Sequence, residues 1–140
     1  MYQNYNNPYG GKNSQQKPEK VKLAIQLLYI SLAINFFHGL LNFFNSQNTY
    51  EIVFAIVIFV LTLGIELTLI YFISKANNTA RIIYTILLAV GILFALPALS
   101  YLSILDIIFI IGSVGLSIYI VILLFNPTSS RWFRQGGFNY

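Results

Sequence analysis

"IVFAIVIFVLTLGIELTLIYFIS" (Ile52–Ser74) decides the fold. An α-helix rises 1.5 Å per residue and needs about 20 apolar residues to cross the hydrocarbon of a bilayer, and this run is long enough. Glu66 is the single charge inside it. Three further blocks have the same character, at 23–44, 82–101 and 104–125. The composition agrees. The chain is 57% hydrophobic and 9% charged, whereas soluble domains carry about 25% charged residues. No water-facing surface can be built from so few charges. The expected fold is therefore all-α: an integral membrane protein folded as an antiparallel up-down bundle of four transmembrane helices.

The boundaries are punctuated. Pro18 and Glu19 suit the first turn of a helix, where a missing N–H costs nothing and a carboxylate meets the positive dipole end. "NSQNTYE" (45–51) separates spans one and two, "KANNTAR" (75–81) spans two and three, and "NPTSSR" (126–131) stops span four. "LSYLS" (99–103) must hold a very tight turn, with Pro97 opposing helix continuation just before it. Under this assignment all eight basic residues fall on one side. Lys12, Lys17, Lys20 and Lys22 precede span one, Lys75 and Arg81 lie between spans two and three, and Arg131 and Arg134 follow span four. The other two loops contain no Lys or Arg, and Glu51 and Asp106 stand at their edges. The positive-inside bias then places both termini in the cytoplasm. With three or five spans that agreement breaks.

The chain ends read differently. Residues 1–17 are rich in Asn, Gln, Tyr and Gly, cannot bury enough apolar surface to offset ordering entropy, and are expected to be a disordered leader. The bundle proper covers 18–126. Its first block has too long an apolar run, and no small-residue cleavage site, for a signal peptide, so it is read as a retained span. Residues 127–140 form a tail in which Arg131, Trp132, Phe133 and Arg134 suit the headgroup layer as interface anchors.

Polar groups inside the spans mark the candidate site. Glu66 lies about nine residues, roughly 13 Å, from the basic end of span two. Facing lipid as a carboxylate it would cost on the order of 3 kcal/mol, so it is expected to face other helices or water. At the same depth stand Ser31, Gly91 and Ser117, with Thr62 one turn away. In span one, Ser31, Asn35, His38 and Asn42 are spaced by four, three and four residues and so share one helical face. In span four, Asp106, Ile110, Ser113 and Ser117 share another, with Gly112 and Gly115 permitting close approach. Span three offers a small-residue edge of Gly91, Ala95 and Ala98, and Pro97 is expected to kink its outer half. The polar faces should turn inward, giving an expected intramembrane polar site of Glu66, Ser31, Asn35, His38, Asn42, Ser113 and Ser117.

Several chemistries are poorly supported. The chain has no cysteine, which removes disulfides, thiolate metal sites and thiol redox chemistry. His38 is the lone histidine, within plausible range of Asp106, and metal sites generally want several ligands; a hydrogen-bonded structural role is expected. "GSVG" (112–115) beside His38 matches an intramembrane protease dyad only superficially. No phosphate-binding glycine loop, paired carboxylates or nucleic-acid motif is present. No metal, cofactor or nucleic acid is expected.

A leader containing "NNPYGG" (6–11), the approach "KPEKVK" (17–22), "NNTAR" (77–81) and the closing "LLFNPTSSRWFR" (123–134) resemble the layout of many small, uncharacterised bacterial four-span inner-membrane proteins. The resemblance covers most of the chain and implies a bacterial inner-membrane location. The chain is also similar in size and span number to small multidrug-resistance exporters. Those carry their proton-coupling glutamate in the first span and work as dimers; here Glu66 is in the second. The leading expectation is a non-enzymatic accessory or interaction protein in the bilayer, partnered by a second copy or another membrane protein. The alternative is a small proton- or cation-linked transporter or channel using Glu66.

Overall fold

The computed structural model describes residues 17–45 and 49–136. The leader at 1–16 and the last residues, 137–140, lie outside the described residues. The described chain is all-helical: α1 (Glu19–Asn45), α2 (Thr49–Ser74), α3 (Asn78–Ala98), a short 3₁₀ turn (Leu99–Tyr101), α4 (Ile104–Leu124) and α5 (Pro127–Gly136). Four of these helices are long and apolar enough to cross a membrane, and they coincide with the four blocks read from the sequence to within a few residues. α1 packs on α2 and α4, and α3 packs on the same two.

Each join is built from local polar chemistry. α2 ends in a left-handed residue, Ala76 (φ 63°), with Ala76 N–H donating to Ile73 O (3.1 Å) and Asn77 N–H to Phe72 O (3.0 Å). This pair of reversed bonds satisfies carbonyls that the helix end leaves orphaned. Asn77 then caps α3, its Oδ1 accepting from the backbone of Thr79 (2.9 Å) and Ala80 (3.2 Å). The tight turn at 99–103 is closed by a capping box: Asp106 N–H donates to Ser103 Oγ (3.2 Å) and Ser103 N–H to Asp106 Oδ2 (3.3 Å). Pro97 falls in the last turn of α3, which stops one residue later.

The segment after span four, read from sequence as a tail, forms α5. Asn126 caps it, accepting from Thr128 N–H (3.3 Å) and Thr128 Oγ1 (2.7 Å), and Pro127 takes the first helical position, where no N–H is needed. α5 folds back onto the end of α4 and supplies what its carbonyls lack. Ser129 Oγ donates to Leu123 O (2.7 Å) and Ser130 Oγ to Phe125 O (3.2 Å). Leu124 O is taken by Arg81 of α3, through Nη1 at 2.9 Å.

Arg81 is 7% exposed and holds this end together. Besides Leu124 O, it donates from Nε to Asn78 Oδ1 (2.7 Å) and from Nη1 to Ser130 Oγ (3.2 Å). Its guanidinium lies 4.6 Å from the ring centres of both Phe125 and Phe133. A cation at the C-terminal end of α4 also meets the negative end of the helix dipole.

The well-packed core lies at this same end. It comprises Val21, Ala24 and Leu28 of α1, Leu69, Ile70 and Ile73 of α2, Ala80 of α3, Ile120, Leu123 and Leu124 of α4 and Phe133 of α5, with Ala76 in the turn. Phe133 is fully enclosed by protein, so among the four expected interface anchors it is a core residue, placed there by the return of α5. Trp132 packs against the core edge with Lys17 Nζ 5.7 Å from its ring centre, and Arg131 and Arg134 are exposed. Burial, reinforced by nearby Lys75 and Lys22, holds the Lys17 ammonium below the ordinary lysine range. Gly136 closes on the α2–α3 turn, where an added Cβ would collide with the Ala76 side chain.

A hydrogen bond to a charged group contributes about 1.5–3 kcal/mol and a desolvated cation–π contact about 2 kcal/mol. Arg81→Met should therefore destabilise the protein by about 2–4 kcal/mol, the contributions being non-additive. Ser130→Ala, which removes one hydroxyl, should cost about 1 kcal/mol. Unfolding of the detergent-solubilised protein, followed by circular dichroism, checks both values and their order.

Candidate functional site

Above the packed end the interior opens. A cavity of about 460 Å³ lies between all four long helices. Its origin is the size of the residues at that level. α1 presents Ser31 and Asn35, α3 presents Gly91, and α4 presents Ser113 and Ser117, whereas the packed end of α4 carries Ile120 and Leu124 and that of α1 carries Leu28. Close packing cannot be maintained with so little side-chain volume. A Cβ built on Gly91 would meet nothing within 4 Å.

Glu66 reaches this cavity from α2, half-buried, together with Thr62. Asn35 of α1 lines the same cavity as the Glu66 carboxyl. Tyr84 of α3 and Ser117 of α4 line the same cavity. Thr62 Oγ1 donates to Ile58 O of its own helix (2.8 Å). The remaining wall is aliphatic, chiefly Leu28, Leu69, Leu88 and Ile92. The arrangement is a greasy chamber with one carboxyl and a ring of neutral hydroxyl and amide groups. Such a chamber suits a proton or a small cation at the carboxyl.

The residues predicted as a site divide into three groups. Glu66, Ser31, Asn35, Ser113 and Ser117 meet in the central cavity. His38 does not reach it. It lines a second chamber of about 180 Å³ with Asn35, Phe109, Ile110, Ser113 and Val114, three of which also line the first. His38 Nε2 lies 3.2 Å from Asp106 Oδ1, and its ring stacks on Phe109 at 4.7 Å. The side chain of Asn42 lies outside the described residues.

Tyr84 was not singled out from the sequence. Its signal was its register: Tyr84, Leu88, Gly91 and Ala95 follow one another at four, three and four residues, the same face as the small-residue edge. Among the described residues no group of three or more His, Cys, Asp or Glu side chains comes together to hold a metal.

No protein-family model, curated protein or solved structure matches this chain. Its function must be argued from the site.

Gly91→Leu should fill part of the cavity with little loss of stability, within about 1 kcal/mol, because the added side chain meets empty space rather than a packed neighbour. Gly39→Leu should be far worse, because a Cβ there would already lie 2.5 Å from the Phe59 ring; overpacking of this kind costs about 1–3 kcal/mol. Paired melting curves of the two variants check the contrast.

Proposed function

We propose that this chain is a non-enzymatic, four-span protein of the bacterial inner membrane, a small carrier or channel whose working group is Glu66. In this reading the spans run up-down and antiparallel, and both termini lie in the cytoplasm with the basic residues. The observation that carries the functional part is the position of Glu66 on a cavity of about 460 Å³ shared by all four long helices. A residue needed only to pin two helices has no reason to stand on a chamber of that size. Intramembrane acids are costly and mark ion or proton pathways more often than packing. Asn35 and the hydroxyls around the cavity support a carboxyl that exchanges a proton or binds a small cation.

The interaction reading of the sequence is compatible with this. A second copy or another membrane protein would cover part of the apolar exterior, of α2 above all, where 6% of the most apolar window is buried within the chain.

Two measurements test the proposal. The chain has no cysteine, so Gly10→Cys, Asn48→Cys and Gly137→Cys can each be probed with an impermeant maleimide in right-side-out and inverted vesicles. Positions 10 and 137 should label from the cytoplasmic side and 48 from the opposite side; any other pattern overturns the orientation. For function, the full chain is reconstituted in liposomes containing pyranine, and a potassium gradient with valinomycin sets an inside-negative potential. Proton uptake should exceed that of empty liposomes and fall to their level in Glu66→Gln. Equal uptake by wild type and Glu66→Gln would remove Glu66 from the function.

A further inference from the structure

The polar face of α1 does not stop at the central cavity. One turn beyond Asn35 it carries His38, whose Nε2 lies 3.2 Å from Asp106 Oδ1. The other oxygen of that carboxylate is held by the start of α4, with Ser103 Oγ donating at 2.6 Å and Ser103 N–H at 3.3 Å. The pair is thus fixed from both sides: the carboxylate by the cap, the imidazole by its stacking on Phe109 at 4.7 Å and 26°. The two side chains are 27% and 28% exposed and sit towards the end of the bundle opposite the Arg81 cluster. On the inner side, the chamber of about 180 Å³ behind His38 shares Asn35, Ser113 and Val114 with the cavity that holds Glu66. It is large enough for several waters, each taking about 30 Å³, and Asn35, His38 and Ser113 give them polar partners.

We propose that His38, held by Asp106, is the proton inlet to Glu66 from the side of the membrane opposite the basic end. This deepens the functional reading above and rests on it. A proton from the exterior binds an imidazole nitrogen, and the imidazolium is stabilised by the Asp106 carboxylate. It is then released to water in the small chamber and passed past Asn35 to the Glu66 carboxylate, which becomes the neutral acid. One proton moves, His38 returns to its starting form, and no other bond changes. Imidazole is the side chain suited to both uptake and release near neutral pH.

A mere strut between α1 and α4 would need neither exposure at one face nor a chamber at the other. The titratable groups around His38 are few. α4 contributes Asp106. α2 contributes Glu66, which lines the larger cavity, and its Phe59 ring lies against Gly39, the residue after His38. Tyr50 and Glu51 stand at the start of α2, and Tyr84 of α3 lines the central cavity alone. Asp106 is therefore the charged group in direct contact with the imidazole among the described residues.

The test uses the same pyranine liposomes, with vesicle orientation fixed by cysteine labelling. His38→Gln, which retains a hydrogen-bonding side chain but cannot carry a proton, should slow the Glu66-dependent uptake on the order of 100-fold. Uptake by His38→Ala should be restored by millimolar imidazole, and uptake by the double variant His38→Ala, Glu66→Gln should not. Asp106→Asn should slow uptake and change its pH profile, and melting curves confirm that each variant is folded. If wild type exceeds Glu66→Gln but His38→Gln and unrescued His38→Ala match wild type, the inlet is overturned and the Glu66 reading survives. If wild type and Glu66→Gln are equal, the Glu66 reading falls and the inlet falls with it.

Discussion

A helix that ends against protein rather than water must find donors for its last carbonyl oxygens, and the end of α4 shows how much of this molecule follows from that need. Leu123 O, Leu124 O and Phe125 O are taken by Ser129, Arg81 and Ser130 respectively. Two of those donors come from α5, which must fold back for them to arrive. The third comes from the first turn of α3. Once α5 is in place, Phe133 is enclosed, Trp132 covers the core edge, and Gly136 is brought against the turn between α2 and α3. The guanidinium of Arg81 is buried without a carboxylate partner among the described residues. Backbone and hydroxyl oxygens, an amide and two aromatic faces take its place. Such a group keeps its charge at low cost only while all of these partners stay together, so α3, α4 and α5 are fixed as a unit.

That firmness at one end is what permits looseness in the middle. Leu28, Leu69, Ile70, Ile73, Ile120 and Leu124 pack the basic end. Over the next turns the inward positions become serine, asparagine and glycine, and the helices remain apart at the spacing the packed end imposes. The void that results is lined on one side by a carboxyl. In a soluble protein, an interior of this sort would invite collapse. Here the outward faces are apolar almost throughout, and the interior is the natural place for polar groups.

The spans and their boundaries were legible because two strong signals agree: apolar runs of bilayer length, and basic residues confined to alternate connections. The cavity was legible in part. Ser31, Asn35, Glu66, Ser113 and Ser117 could be grouped by helical register and by depth, because both follow from the geometry of single helices. What could not be read were the consequences of contacts between helices. Arg81 looked like one more positive charge in a connecting loop, since nothing in "NNTAR" shows that α5 will fold over it. α5 itself is short and polar, and the Asn126–Pro127 pair that begins it looked equally like a full stop. Phe133 sat between Trp132 and Arg134 in a pattern suited to headgroups, and only the return of α5 takes it inside.

The polar stripe of α1 can now be divided by position. Ser31 and Asn35 belong to the central cavity, Asn35 also borders the smaller chamber, and His38 closes that chamber on its outer side. Among the described stripe residues, Asn35 is the one that lines both spaces. Four polar residues on a membrane helix could serve only to pair helices, and then each would be expected to meet a partner across a closed interface. Instead the stripe borders two neighbouring spaces, and His38 pairs with Asp106, both partly exposed. A polar edge beside two neighbouring spaces is what the proposed proton path requires, and helix pairing alone gives no reason for the spaces.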